Sequence, residues 1–181
     1  MANTILYTKY PIKNVLTYNG TTILHYIFGG IGIILGYDYT WLAYLFGALY
    51  LIFAFGQMYL IMPLVVCPNC VYYRLNNARC TTGLNVFSKR FIKEGSAENF
   101  PNRGKGLFCH NNFYMAALFL PIIAMLPALI INFSIALLII FVAVIGLLLF
   151  RMFVVFPKMA CVHCRAKKVC PNAQAMGLSS S

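Results

Sequence analysis

The sequence predicts an all-α integral membrane protein, with four transmembrane helices as two tandem hairpins and a cysteine-rich metal-binding module on the cytoplasmic side. Three observations lead there. Of 181 residues, 61% are hydrophobic and 9% charged, whereas a soluble domain carries about a quarter charged residues. Two long stretches, Thr40 to Val66 and Asn111 to Phe150, hold no Asp, Glu, Lys or Arg. The 14 Lys and Arg gather at the two ends and in one central segment. That is the distribution of a multi-pass chain whose basic segments stay in the cytoplasm.

Residues 1–17 form a polar, aromatic N-terminus with Lys9 and Lys13. They lack the compact apolar core and small-residue cleavage site of a signal peptide. The first hairpin occupies residues 18–66. Its first span, Tyr18 to Tyr37, is the weakest, with Asn19, Thr21, Thr22, His25 and several glycines. Small residues are common where membrane helices pack closely. Its second span has length to spare over the ~20 residues that cross a bilayer. Asp38, Trp41 and tyrosines 37, 39, 44 and 50 make an outer interfacial belt.

A basic cytoplasmic loop, 67–112, carries Arg74, Arg79, Lys89, Arg90, Lys93, Arg103 and Lys105. Within it, Leu84, Phe87, Phe91 and Ile92 recur at helical spacing among Lys89, Arg90 and Lys93. Such a segment either lies on the inner leaflet or packs under the cysteines. The stretch "FIKEGSAENFPNRGKG" reads as an exposed loop. Residues 113–156 are long enough for a second hairpin, turning at "INFS", where Asn132 and Ser134 would cap the next helix. The tail, 157–181, holds Lys158, Arg165, Lys167 and Lys168, with Arg151 close to the helix end. It ends in "MGLSSS", without a lipidation signal. Both termini and the loop fall on one side, so the number of spans is even.

The seven cysteines, Cys67, Cys70, Cys80, Cys109, Cys161, Cys164 and Cys170, all lie on the predicted cytoplasmic side. In a reducing compartment, clustered thiols mean metal or redox chemistry more often than disulfides. "MPLVVCPNC" and "FPKMACVHC" each end an apolar run with a proline, three residues and Cys-x-x-Cys. Each is followed by a third cysteine, Cys80 or Cys170. Two residues between thiolates let the backbone fold back so that both reach one ion. The proline would loosen or end the helix and release the chain into this knuckle. The chain therefore reads as a duplicated helix–helix–knuckle unit.

Two ligand partitions follow. In one, Cys67, Cys70, Cys161 and Cys164 share a single zinc ion. In the other, Cys67, Cys70 and Cys80 take Cys109 as fourth ligand, and Cys161, Cys164 and Cys170 take His110, a weaker donor. Zinc suits paired knuckles; an iron–sulfur cluster is the alternative, and free redox-active thiols are a third. Arg74, Arg79, Arg165, Lys167 and Lys168 would offset thiolate charge and lower the thiol pKa.

Several classes are excluded. His25, the one histidine inside a predicted span, has no partner for bis-His haem and reads as a hydrogen bond to a neighbouring helix. Gln57 reads likewise. No intramembrane carboxylate offers a proton path. There is no hydrolase triad, phosphate loop or dinucleotide fingerprint. The +11 charge borders the membrane, which points to anionic lipid and away from nucleic acid. The expected function is a zinc-stabilised anchoring platform for a protein partner at the inner membrane surface. An iron–sulfur electron-transfer subunit and a soft-metal handling protein are the alternatives.

Overall fold

The computed structural model describes residues 5–178; positions 1–4 of the N-terminal segment and the last three serines of the tail lie outside them. Its regular structure is helical, with one isolated bridge between Lys9 and Arg79. Pro11 starts α1 (Ile12–Gly36). A proline is already near helical φ and lacks the N–H that a helix start leaves unused, so α1 begins earlier than position 18. Asp38 and Tyr39 turn the chain in the left-handed region, both at φ 53°. Thr40 then caps α2 (Trp41–Phe55), its hydroxyl accepting from the Ala43 N–H at 3.2 Å. α2 runs on as a π-helix, Gly56–Val66.

The second hairpin is α5 (His110–Ile131) and α6 (Ile135–Phe150), the latter also running on as a π-helix, Arg151–Ala160. Three helices are long and apolar enough to cross a membrane: Trp41–Asn69, His110–Ile131 and Ile135–Ala160. α1, at 25 residues, has the length but not the apolarity. The reason is its position. α1 packs against α2, α5 and α6, so its polar residues face protein. Thr22 and His25 are fully buried, and the His25 ring Nε2 bonds the Leu118 carbonyl at 3.0 Å. At Gly36 a Cβ would stand 2.7 Å from that of Ala128, and at Gly29 2.8 Å from that of Pro121. Only glycine allows that approach.

α1 also runs the length of the bundle. At its far end the Gly36 carbonyl accepts from Asn132 Nδ2 at 3.3 Å, and the Tyr37 hydroxyl donates to the Ala124 carbonyl at 3.0 Å. This corrects the expected capping role of the "INFS" turn. Ser134 makes no side-chain cap. Asn132 instead satisfies a carbonyl that the end of α1 leaves unpaired.

Arg151 is a second correction. Expected near the cytoplasmic helix end, it is fully buried and the largest such side chain. Nη1 donates to the Tyr18 carbonyl at 3.3 Å and to the hydroxyls of Thr21, at 3.4 Å, and Thr22. Nη2 donates to the Tyr114 hydroxyl. The rings of Tyr18, Phe156 and Tyr114 lie 5.0, 5.4 and 5.8 Å from the guanidinium carbon. Hydroxyls and aromatic faces replace the missing carboxylate. Gln57, buried on the π-segment of the first hairpin, likewise bonds across to α5, through its Nε2 to His110 Nδ1 and, at 3.1 Å, to the His110 carbonyl.

At the opposite end from Gly36, the N-terminal segment, the central loop and the tail pack together. The Tyr7 N–H donates to the His163 carbonyl at 3.0 Å, and the two rings stack at 4.5 Å. The Tyr10 N–H donates to the Arg79 carbonyl at 2.9 Å, while the Arg79 side chain donates back to the Tyr10 carbonyl at 2.7 and 3.0 Å. The loop contains α3 (Val71–Arg74), α4 (Leu84–Phe91) and a 3₁₀ turn, Ala97–Gly104. α4 turns its polar residues inward. Asn85 accepts from the Cys80 N–H at 2.9 Å and donates to the Ala78 carbonyl at 2.9 Å; Ser88 donates to the Pro63 carbonyl at 2.6 Å. Val86, Phe87 and Phe91 stay exposed. Of the expected apolar face, Phe87 and Phe91 stay outside, while Leu84 is partly buried against the cluster that holds Phe156 and Ala160. The stretch expected as an exposed loop folds as well: Phe100 is buried. α7 (Pro171–Ala175) closes the tail.

Candidate metal centre

Both knuckles are built the same way, and proline explains how. Pro63 and Pro157 cannot donate to the preceding turn, and their rings displace its carbonyl. The helix widens instead of ending. The Cys67 N–H bonds the Met62 carbonyl five residues back, and the Cys161 N–H bonds the Phe156 carbonyl at 2.7 Å. Of the two expected effects of the proline, loosening and termination, it is loosening that forms, and the helix carries the chain to the first cysteine. A tight turn follows in each. The Cys70 N–H meets the Cys67 carbonyl and the Cys164 N–H the Cys161 carbonyl, both at 3.1 Å. Next, Tyr73 N–H bonds the Cys70 carbonyl at 2.9 Å and Lys167 N–H the Cys164 carbonyl at 3.1 Å. The N–H groups of Tyr72 and Ala166 are directed at the sulfurs of Cys70 and Cys164. A donated hydrogen bond favours the thiolate.

Six cysteines, Cys67, Cys70, Cys80, Cys161, Cys164 and Cys170, line one cavity of about 100 Å³ between the hairpins. Tyr18 and Phe156, whose rings also meet the Arg151 guanidinium, line it as well. Phe100 and Arg103 line it from the loop. Arg103 lies against the Phe100 ring at 5.4 Å, and its Nε is buried without a hydrogen-bond partner among the described residues. Sequence reasoning missed this residue as a counter-charge, since it lies 23 positions from the nearest third cysteine of its loop, Cys80.

Of the other expected cations, Arg165 and Lys168 are exposed and Lys167 is buried. Arg74 pairs with Glu94 at 2.8 Å, and Arg79 holds Tyr10. The expected lowering of the thiol pKa is also reversed. Burial pushes Cys70 and Cys161 up to about 12 and Cys164 to about 11, and neighbouring thiolates add to the rise. Arg103 pulls Cys70 and Cys161 the other way without prevailing. Desolvation of a charge outweighs a single partly exposed counter-ion.

Cys109 and His110 do not join the six. Cys109 is the N-cap of α5, its sulfur accepting from the Asn112 N–H at 3.4 Å. His110 bonds Gln57. The partition that assigned them as fourth ligands is not assembled. His163, inside the second knuckle, bonds the Ile5 carbonyl through Nδ1 at 2.8 Å and clasps the N-terminal segment. Among the described residues, no three His, Cys, Asp or Glu side chains are drawn together tightly enough to form a metal-binding group. The thiols share a cavity, and their sulfurs are not gathered into a coordination sphere. No family model matches this chain, and no curated protein or solved structure matches it significantly.

Proposed function

We propose that this chain is a four-span membrane protein whose cytoplasmic thiol module binds zinc and serves as an anchoring platform for a protein partner. The observation that carries the reading is the meeting of six cysteines, three from each hairpin, around one cavity. Two identically bonded knuckles with amides aimed at sulfur are what a thiolate-bound ion needs. The ion would tie the two hairpins together at the end where N-terminus, loop and tail converge.

The fourth span is α1. Its 25 residues extend roughly 37 Å at helical rise, and it spans the bundle from end to end. Its polar residues are sheltered by α2, α5 and α6, so lipid does not meet them. The converging end carries most of the basic residues, which supports a cytoplasmic position for it. There α4 presents Val86, Phe87 and Phe91 outward beside exposed Arg90 and Lys93. That face suits insertion at an anionic inner leaflet, leaving the tail and the 3₁₀ turn for the partner.

Elemental analysis with an absorption spectrum, on protein purified anaerobically in mild detergent, tests the metal. Tightly held zinc without a visible band is expected. Iron with acid-labile sulfide would replace this reading by an electron-transfer subunit, and substoichiometric, easily chelated metal by soft-metal handling. Pull-down from membranes, comparing the native chain with Cys67→Ser, tests the platform: a partner retained equally by both would sink it.

A further inference from the structure

The six thiols are two more than one tetrahedral ion uses, and their arrangement says what the excess is for. Cys70 and Cys164 occupy the middle. Both pack against the cluster of Tyr10, Val15, Tyr72 and Ala78, and both pack against the cluster of Val66, Phe100 and Ala166. Cys80 touches only the first of these clusters and Cys170 only the second. Cys70 and Cys164 stand at the same place in the repeat, second in each knuckle, and each has an amide two residues on directed at its sulfur.

Resting on the metal-binding reading above, we propose that the cavity holds two divalent ions, with Cys70 and Cys164 bridging both. Cys67 and Cys80 complete the first ion, and Cys161 and Cys170 the second. Two four-coordinate ions need eight ligand positions. Four terminal thiolates supply half, and two bridging thiolates, each counted twice, supply the rest. Loading two Zn²⁺ displaces six protons from six thiols and leaves a cluster of charge −2. One guanidinium group stands ready for that charge: Arg103, with its unpartnered Nε, in the wall. Cys109 has no place in the cluster.

The experiment uses the full chain in detergent, first with Zn²⁺ and then with ¹¹³Cd²⁺ exchanged into the site. Expected are two metal ions per chain and two cadmium resonances in the all-thiolate range, split by coupling to each other through shared sulfur. Cys109→Ser leaves both unchanged. One ion per chain, or two uncoupled resonances, overturns the bridged pair while leaving the metal-binding reading intact. No bound metal overturns both. Iron with sulfide overturns the pair and replaces it by a cluster.

Discussion

Residues 57–70 and 151–164 are the same device placed in two settings. Each begins with a buried polar side chain, passes through a π-helix containing one proline, and ends in a Cys-x-x-Cys turn with matching hydrogen bonds. The opening residue differs. In the first half it is Gln57, which bonds His110; in the second, at the same register, it is Arg151, held by two threonines, two tyrosines and a phenylalanine ring. What repeats is local, dictated by proline and by the spacing of two cysteines. What differs is set by the neighbouring helices, which offer an imidazole in one case and a ring of hydroxyls in the other.

The sharpest test of that difference is Arg151→Leu, which removes the guanidinium's bonds to the hydroxyls of Thr22 and Tyr114 and leaves a void. Lost hydrogen bonds to a charged group and lost packing each cost a few kcal/mol, so a loss of about 3 kcal/mol or more is expected in detergent unfolding. Arg151→Gln copies the first half and should recover part of this. Equal losses for Leu and Gln would mean the two positions are not equivalent.

Next in size is Gly29→Leu. The added side chain meets Pro121 and the Tyr50 hydroxyl, which are too rigid to yield, and overpacking costs about 1–3 kcal/mol. Thermal unfolding in detergent checks it; an unchanged midpoint would remove α1 from the bundle centre.

Pro63→Ala and Pro157→Ala probe the shared device. Restoring an ordinary helix turns each following cysteine by about 100°, so metal should be lost to a chelator several-fold faster. The two variants should behave alike. A large effect in one and none in the other breaks the repeat.

Cys109→Ser is the control within the thiol set. Serine is itself a good N-cap, so stability should shift by under about 1 kcal/mol and metal content should stay constant. Smallest is Glu94→Ala. Its pair with Arg74 is half-exposed, and such pairs contribute about 0–1 kcal/mol; urea unfolding should scarcely register the change.

Much of this was legible beforehand. Three helices were written in uncharged runs, the turn at residues 37–40 in Asp and Thr, and the knuckles in their prolines and paired cysteines. These depend on near neighbours in the chain, where spacing is the same as geometry. The sequence also predicted that Gln57 and His25 bond across helices, without naming the carbonyl or ring that receives them.

Tertiary structure alone decided the rest. It separated Cys109 from the other six, because a cysteine ahead of a helix becomes a cap wherever its sulfur finds the third N–H. It moved Arg151 from the membrane border to the core and brought Arg103 to the thiols. It drew residues 5–10 between Arg79 and His163 as a clasp. Each is a meeting of residues far apart in the chain, and the sequence spells the partners without the distance between them. Composition determined that three helices are apolar enough to cross a bilayer, because lipid tolerates few charges. Only packing determined which charges are kept inside, because a buried cation survives where enough hydroxyls and aromatic faces converge on it.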